Sequence, residues 1–186
     1  MQPNFPRLVS LACHDLRTPL ATVQGFAKTL LRADVDEQTA RWLGLIDEAA
    51  DEVVELLDLL SLAARVEAER YDPVVREVDL LELAQEAVPA ATGAGAAVAV
   101  DPDAVRRALA GFARAAERHG GVDVAVTVDA RRVSFEPVTA EAAPIVLGED
   151  LKELASAVAV RVVAALGGGV ELDGERLVVT LPPPSA

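Results

Sequence analysis

Aromatic side chains are scarce in this sequence, at 3% of 186 residues, although hydrophobic residues of all kinds make up 52%. A chain of this length and apolar content can bury a core, which must be built mainly from small aliphatic side chains. Cysteine occurs once, which excludes an intramolecular disulfide and a cysteine-rich zinc site and favours a reducing compartment. We therefore predict one medium domain or two small ones.

Basic residues are also few. The 17 Lys and Arg residues stand against 30 Asp and Glu, and the formal net charge is -13. Nucleic acid and anionic membrane surfaces are therefore unfavourable partners. No apolar run reaches the length of a membrane span, and residues 1–13 lack the basic start and unbroken apolar core of a signal peptide. We expect a cytoplasmic protein with no membrane or nucleic-acid partner and no membrane-anchored sensor half.

Two heptad-like patterns fill the first third of the chain. Apolar residues alternate by steps of four and three over residues 9–30 and again over residues 43–64, which is typical of helices packed as in a coiled coil. Between them, Asp34 and Glu37 have the spacing of a capping box, so we predict a short turn and an antiparallel helical hairpin. The predicted seams are Val9, Cys13, Leu16, Leu20, Val23, Ala27 and Leu30 on the first helix, and Leu43, Ile46, Ala50, Val53, Leu57, Leu60 and Ala64 on the second.

Further apolar positions beside these seams make both stripes wider than a two-helix contact can cover. A second copy of the hairpin is the simplest way to bury the remainder. We therefore predict a homodimer that forms a four-helix bundle. The flanking apolar positions include Leu11, Ala12, Trp42, Val54 and Leu56.

The helical pattern ends before Pro73, which restricts Asp72 to an extended conformation. Short strand-like and helix-like segments then alternate up to the C-terminal end, and Asp79 is placed to cap the first of these helices. The small-residue stretch 89–95 is predicted to be a loop. The fold class that we predict is an α-helical hairpin over residues 1–70, followed by an α+β domain over residues 73–186.

The most specific motif lies inside the first predicted helix. Its proline lacks the backbone N–H that would bond the carbonyl of the residue four positions earlier. The order is histidine, an acid, an aliphatic residue, arginine, a small polar residue, proline and leucine, and it resembles the phospho-accepting H-box of two-component sensor histidine kinases. The residues that carry this resemblance are His14, Asp15, Leu16, Arg17, Thr18, Pro19 and Leu20.

The side chains of this motif suit phosphoryl transfer. With Cys13, Leu16 and Leu20 directed inward, His14 and Thr18 share an outward face, since they lie four residues apart. Free imidazole has a pKa of about 6.5 and is a neutral nucleophile near neutral pH.

The neighbours of the histidine have candidate roles of their own. Asp15 can hold one ring nitrogen of His14 so that the other becomes the nucleophile, and it can stabilise the charge that develops on the ring. Arg17 is a candidate phosphate contact. The resemblance implies that Thr18 positions the water that hydrolyses a phosphorylated partner, which would give phosphatase activity.

In outline the resemblance covers most of the chain and implies a GHKL-like α/β sandwich, the ATPase domain of histidine kinases. Gly111 and Ala115 stand where the family has the N-box asparagines, and neither side chain can bind magnesium. Residues 135–139 lack the alternating glycines of the kinases, and Glu153 and Ala155 replace the second glycine-rich box. We therefore expect a degenerate domain with no ATP, no other cofactor and no metal of its own.

An intact H-box joined to a degenerate nucleotide domain resembles the dimeric histidine phosphotransferases of phosphorelays. That resemblance implies that His14 accepts a phosphoryl group from one response-regulator receiver domain and passes it to another, with magnesium supplied by the receiver. Autophosphorylation from ATP is not expected. Two alternatives stay open: a divergent histidine kinase or response-regulator phosphatase, and a non-catalytic pseudokinase scaffold that binds a receiver domain.

Overall fold

The computed structural model describes residues 5–33 and 35–184. The chain forms two compact units, unit 1 up to Glu69 and unit 2 from Arg70 onward. Unit 1 is a pair of long helices, α1 (Phe5–Leu31) and α2 (Glu37–Glu67). Within the described residues no helix combines the length and the apolar character needed to cross a membrane.

The start of α2 is fixed by Asp36. Its carboxylate accepts hydrogen bonds from the Thr39 hydroxyl at 2.6 Å and from the Thr39 backbone N–H at 2.9 Å. These bonds hold the pKa of Asp36 below its ordinary value of 3.8, because they favour the charged carboxylate. Asp34, the cap predicted from the sequence, lies outside the described residues, and the cap observed at this helix is Asp36.

Three polar pairs join α1 to α2. Each step forward along α1 is matched by an equal step back along α2, which is the register of an antiparallel hairpin. The predicted hairpin is therefore confirmed. The pairs are Arg17 with Asp58, Gln24 with Asp51, and Lys28 with Asp47.

The members of each predicted seam differ in burial. Cys13 is 1% exposed, whereas Leu16 is 54% exposed in the single chain, so the prediction that Leu16 points into a dimeric bundle stays a prediction. The difference in burial arises because one neighbouring helix covers only one side of a heptad stripe. The exposed members form what we call the outer stripe: Leu16, Val23, Leu30, Ile46, Val53 and Leu60.

Unit 2 is an α/β domain with a mixed five-stranded sheet. Its elements are β1 (Arg76–Asp79), α3 (Leu80–Ala87), β2 (Thr92–Gly95), β3 (Ala97–Val100), α4 (Pro102–Gly120), β4 (Ala125–Ala130), β5 (Arg132–Glu136), α5 (Ala143–Val146), α6 (Leu154–Ala165), β6 (Gly169–Asp173) and β7 (Arg176–Thr180). The strand order is β2-β4-β5-β7-β6, with β2 parallel to β4 and the other pairs antiparallel. β1 and β3 form a separate antiparallel pair.

The core of unit 2 lies between this sheet and its helices. Alternate residues of β4 and β5 are buried, as expected when one face of a sheet is covered. The Phe112 ring on α4 meets the Phe135 ring on β5 with centroids 6.0 Å apart. As predicted, Asp79 caps α3, since its carboxylate accepts hydrogen bonds from the N–H groups of Leu81 and Glu82.

One strand lies where the sequence predicts a loop. Residues 92–95 pair with β4, and Gly93 adopts a φ of 124° beside the Val128 carbonyl, where any Cβ atom would overlap the backbone. Glycine is therefore required for this close strand approach. The loop prediction is wrong there, because the strand is defined by its distant partner and not by an apolar pattern.

Candidate functional site

His14 projects from α1 with 78% of its side chain exposed. The helix continues through Pro19 without a break. Thr18 lies one turn further along and is also exposed, so both side chains are accessible on one helix face. The histidine can therefore be reached by another macromolecule.

Asp15 lies beside the histidine ring. Its Oδ1 is 3.2 Å from Nδ1 of His14. When the proton is on Nδ1, this carboxylate accepts a hydrogen bond from Nδ1–H, and Nε2 is left with the lone pair of a nucleophile. The contact also places a negative charge where it can stabilise an imidazolium ring.

Arg17 is engaged with the second helix. Its Nη2 donates a hydrogen bond to Oδ1 of Asp58 at 2.5 Å, and the two side chains are 38% and 31% exposed. Sequence reasoning missed Asp58, which lies in an acidic stretch of α2. A signal was available in the spacing, since Arg17 falls between Cys13 and Leu20 at a position that must also face the hairpin partner.

The predicted nucleotide positions of unit 2 lie where two helices touch. Gly111 and Ala115 are on the buried face of α4. A Cβ atom built on Gly111 would stand 3.1 Å from the Cβ of Ala155 and 3.2 Å from its carbonyl oxygen. The backbones of α4 and α6 therefore approach each other closely at the positions where the resembling family has its nucleotide contacts.

Glu153 is held by basic side chains at the start of α6. Its Oε2 lies 3.4 Å from Nε2 of His119 and 3.5 Å from Nη1 of Arg118, and its side chain is 12% exposed. The segment before it is also fastened, because the buried Ser156 hydroxyl donates to the carbonyl of Ile145 at 2.9 Å. These contacts tie α4, α5 and α6 together.

The described residues contain no group of three or more His, Cys, Asp or Glu side chains arranged to hold a metal ion. The nearest acid to His14 for which a contact is seen is Asp15, and one carboxylate does not make a magnesium site. That a partner supplies magnesium therefore stays a prediction.

Comparison with known proteins agrees with the motif. Residues 7–69 match the family model of the His Kinase A (phospho-acceptor) domain. The sensor protein kinase PmrB of Pseudomonas aeruginosa is 32% identical over 90 residues, which cover 44% of this chain and 19% of that protein.

Two solved structures share the fold. Full-length ShkA in complex with AMPPNP superposes with a TM-score of 0.72 at 22% identity, covering 97% of this chain and 47% of that one. The Acinetobacter baumannii histidine kinase AdeS gives a TM-score of 0.56 at 17% identity, covering 92% and 98% of the two chains. This chain thus spans 19% of its curated relative and less than half of the ShkA chain.

The phospho-acceptor match covers α1 and α2, and the fold is shared with solved histidine kinases. In these respects the chain is similar to histidine kinases. Its H-box resemblance is confirmed at this level.

Proposed function

We propose that this chain is a histidine phosphotransferase of a phosphorelay, in which His14 carries a phosphoryl group between receiver aspartates without binding ATP. The observation that carries the proposal is the exposed His14 ring with Asp15 placed 3.2 Å from its Nδ1. That arrangement leaves Nε2 directed away from the pair and open to a partner.

The transfer needs only the side chains of His14 and Asp15 and the groups of the receiver domain. Nε2 of His14 attacks the phosphorus of an aspartyl phosphate, an N–P bond forms, and the P–O bond to the receiver breaks to release its carboxylate. Nδ1 keeps its proton and donates a hydrogen bond to the Asp15 carboxylate, whose charge offsets the positive charge on the ring. Attack by the aspartate of a second receiver reverses these steps. Magnesium bound by the receiver would offset the phosphate charge.

The geometry of unit 2 supports the absence of ATP binding. Magnesium and the phosphates of a nucleotide require oxygen donors and neutralising charge, which Gly111 and Ala115 do not offer. Gly111 is instead packed against Ala155, and the carboxylate of the nearby Glu153 is paired with basic side chains of α4. A triphosphate would be excluded from this place by the contact between α4 and α6.

The outer stripe supports the proposed homodimer. Its six apolar residues, three on each helix, are between 39% and 54% exposed in the single chain. A continuous apolar face of this kind is rare on a monomer, and a second hairpin would bury it in a four-helix bundle. We propose receiver domains as the other partners and the cytoplasm as the location. We propose neither nucleic acid nor a membrane as a partner.

One observation favours a second activity at the same site. Thr18 is exposed one turn from His14, which is where a hydroxyl could hold a water against a phosphorylated receiver. The protein would then also act as a response-regulator phosphatase.

A labelling experiment tests the proposal. The full chain is incubated either with a phosphorylated receiver or with labelled ATP and magnesium, and acid-labile label is measured. We expect label from the receiver that His14→Ala abolishes and that His119→Ala, which removes the other of the two histidines, preserves. Label from ATP would instead indicate a divergent kinase, and no label from either donor would leave a receiver-binding scaffold.

A further inference from the structure

Arg17 belongs to the H-box motif, yet its guanidinium donates a hydrogen bond to Asp58 on the second helix of its own chain. The 2.5 Å contact with Asp58 joins two opposite charges that are both about two-thirds buried. Such charge-assisted bonds are shorter and stronger than neutral ones. A single ion pair that is still partly open to solvent contributes little to overall stability, so its place in the helix is what matters.

The pair lies at the turn of α1 that contains Pro19. Pro19 has no N–H to donate to the carbonyl of Asp15, so this turn lacks one backbone hydrogen bond. Arg17 stands between these two residues and three positions after His14. The side-chain contact of Arg17 with Asp58 therefore stabilises a turn in which one backbone hydrogen bond is missing.

The other polar pairs of the hairpin do not share this position. Lys28 contacts Asp47 at 3.4 Å near the far end of α1, about four turns beyond His14. It joins the same two helices by the same chemistry, but it does not adjoin the proline turn. It is therefore a matched control for effects that come only from joining the helices.

We infer that Arg17 is a positioning residue for His14 that acts through Asp58, and that it is not a phosphate ligand. The inference rests on the proposed function, because the orientation of His14 matters only if the ring reacts. The pair sets the rotation of the H-box turn and with it the direction of Nε2. Loss of the pair would let the turn move while the helix and the exposed histidine remain.

The test compares Arg17→Ala, Asp58→Ala and the exchanged double variant Arg17→Asp with Asp58→Arg, using Lys28→Ala as the control. We expect either single variant to slow transfer at saturating phosphorylated receiver by about tenfold or more, as for a misplaced reacting group. The receiver concentration at half saturation stays near the wild-type value. The exchanged pair recovers at least part of the rate, and Lys28→Ala transfers at the wild-type rate.

A second measurement does not depend on catalysis. Amide hydrogen exchange over residues 15–18 should be faster in Arg17→Ala and Asp58→Ala than in Lys28→Ala, with circular dichroism showing that all variants stay helical. Unchanged exchange there would overturn the inference whether or not the protein transfers phosphate.

The remaining outcomes separate the inference from the proposed function. If Arg17→Ala slows transfer but Asp58→Ala does not, Arg17 contacts the phosphate directly and the inference is wrong. If the wild type takes up label at His14 and both variants match it, the inference is wrong and the proposed function stands. If the wild type takes up no label but amide hydrogen exchange is faster in both variants, the proposed function is wrong. The conclusion that Arg17 and Asp58 stabilise the H-box turn is then still supported.

Discussion

A methyl group added at Gly111 on α4 would stand 3.1 Å from the Cβ of Ala155 on α6. The backbone carbonyl of Ala155 is equally close, at 3.2 Å from the same point, so the neighbour cannot yield by changing a rotamer. The two helices therefore meet at backbone distance, and substitutions at Gly111 test how tightly they pack.

We predict that Gly111→Asn, which introduces the residue type of the family motif, destabilises unit 2. Overpacking of a close contact typically costs about 1 to 3 kcal/mol, and here the obstacle is backbone. The check is urea-induced unfolding followed by far-UV circular dichroism. A variant as stable as the wild type would mean that α4 and α6 separate easily.

Gly44 provides the matched control. It also lies inside a long helix, but no atom lies within 4 Å of the place where a Cβ would be. Gly44→Ala should therefore raise the stability of unit 1 by about 0.5 to 1 kcal/mol, because alanine restricts the unfolded chain and favours helix. If the free energy of unfolding rises for the Gly44 variant and falls for the Gly111 variant, the space around each glycine, and not helix propensity, decides the effect on stability.

Nucleotide should leave the melting temperature unchanged. A ligand at one hundred times its dissociation constant would stabilise the folded chain by about 2.7 kcal/mol, which a thermal melt detects easily. We expect no shift with magnesium and AMPPNP at millimolar concentration. We expect none either in the Glu153→Gly and Ala155→Gly double variant, because Gly111 and Ala115 still provide no magnesium ligand. A saturable shift in the wild type would contradict the proposed loss of ATP binding.

The hairpin and the H-box were predictable because both are local. Steps of three and four are visible in one helix at a time, and the motif occupies seven consecutive residues. The sequence could not show which seam residues are buried between the two helices of one chain. Leu16 and Cys13 are both apolar, and the position of the second helix decides which of them it covers. The spacing indicates that Arg17 faces the second helix, but an apolar pattern does not show that Asp58 is the residue it contacts there.

In unit 2 the difficulty was nonlocal pairing. The small residues 92–95 have little strand propensity, and they become β2 only because β4 lies beside them. The contact between Gly111 and Ala155 likewise joins residues far apart in the sequence. The sequence resemblance predicts that nucleotide ligands are missing at these positions, and the close contact between Gly111 and Ala155 could be seen only in the structure.

Charges placed in the outer stripe should separate the proposed dimer. We predict that Val23→Glu combined with Val53→Glu yields a single-chain mass in size-exclusion chromatography with light scattering, because two buried carboxylates per chain oppose the apolar contact. Thr22→Glu is the control, since Thr22 is exposed next to Val23 but is not part of the stripe. If the double variant keeps the wild-type mass, the stripe is not the dimer interface.

Thr18→Ala should separate hydrolysis from transfer. We expect hydrolysis of the phosphorylated receiver to slow by at least about tenfold, because the hydroxyl that orients water is gone, while His14 still accepts label. Thr22→Ala controls for loss of a threonine hydroxyl one turn further on, where the group donates to the Thr18 carbonyl at 3.1 Å. Equal hydrolysis by all three proteins would exclude a role for Thr18.

The cap of α2 should make its stability depend on acid pH. The hydrogen bonds from Thr39 lower the pKa of Asp36, so the folded state favours the charged carboxylate. The resulting stabilisation is present in full above the ordinary value of 3.8 and is lost as the pH falls through the lower folded-state pKa. Asp36→Asn keeps a capping oxygen without a titrating group. We therefore predict that the melting temperature of the wild type falls relative to Asp36→Asn as the pH is lowered from neutral to well below that value. A difference that stays constant over this range would show that the charge of Asp36 does not stabilise the helix.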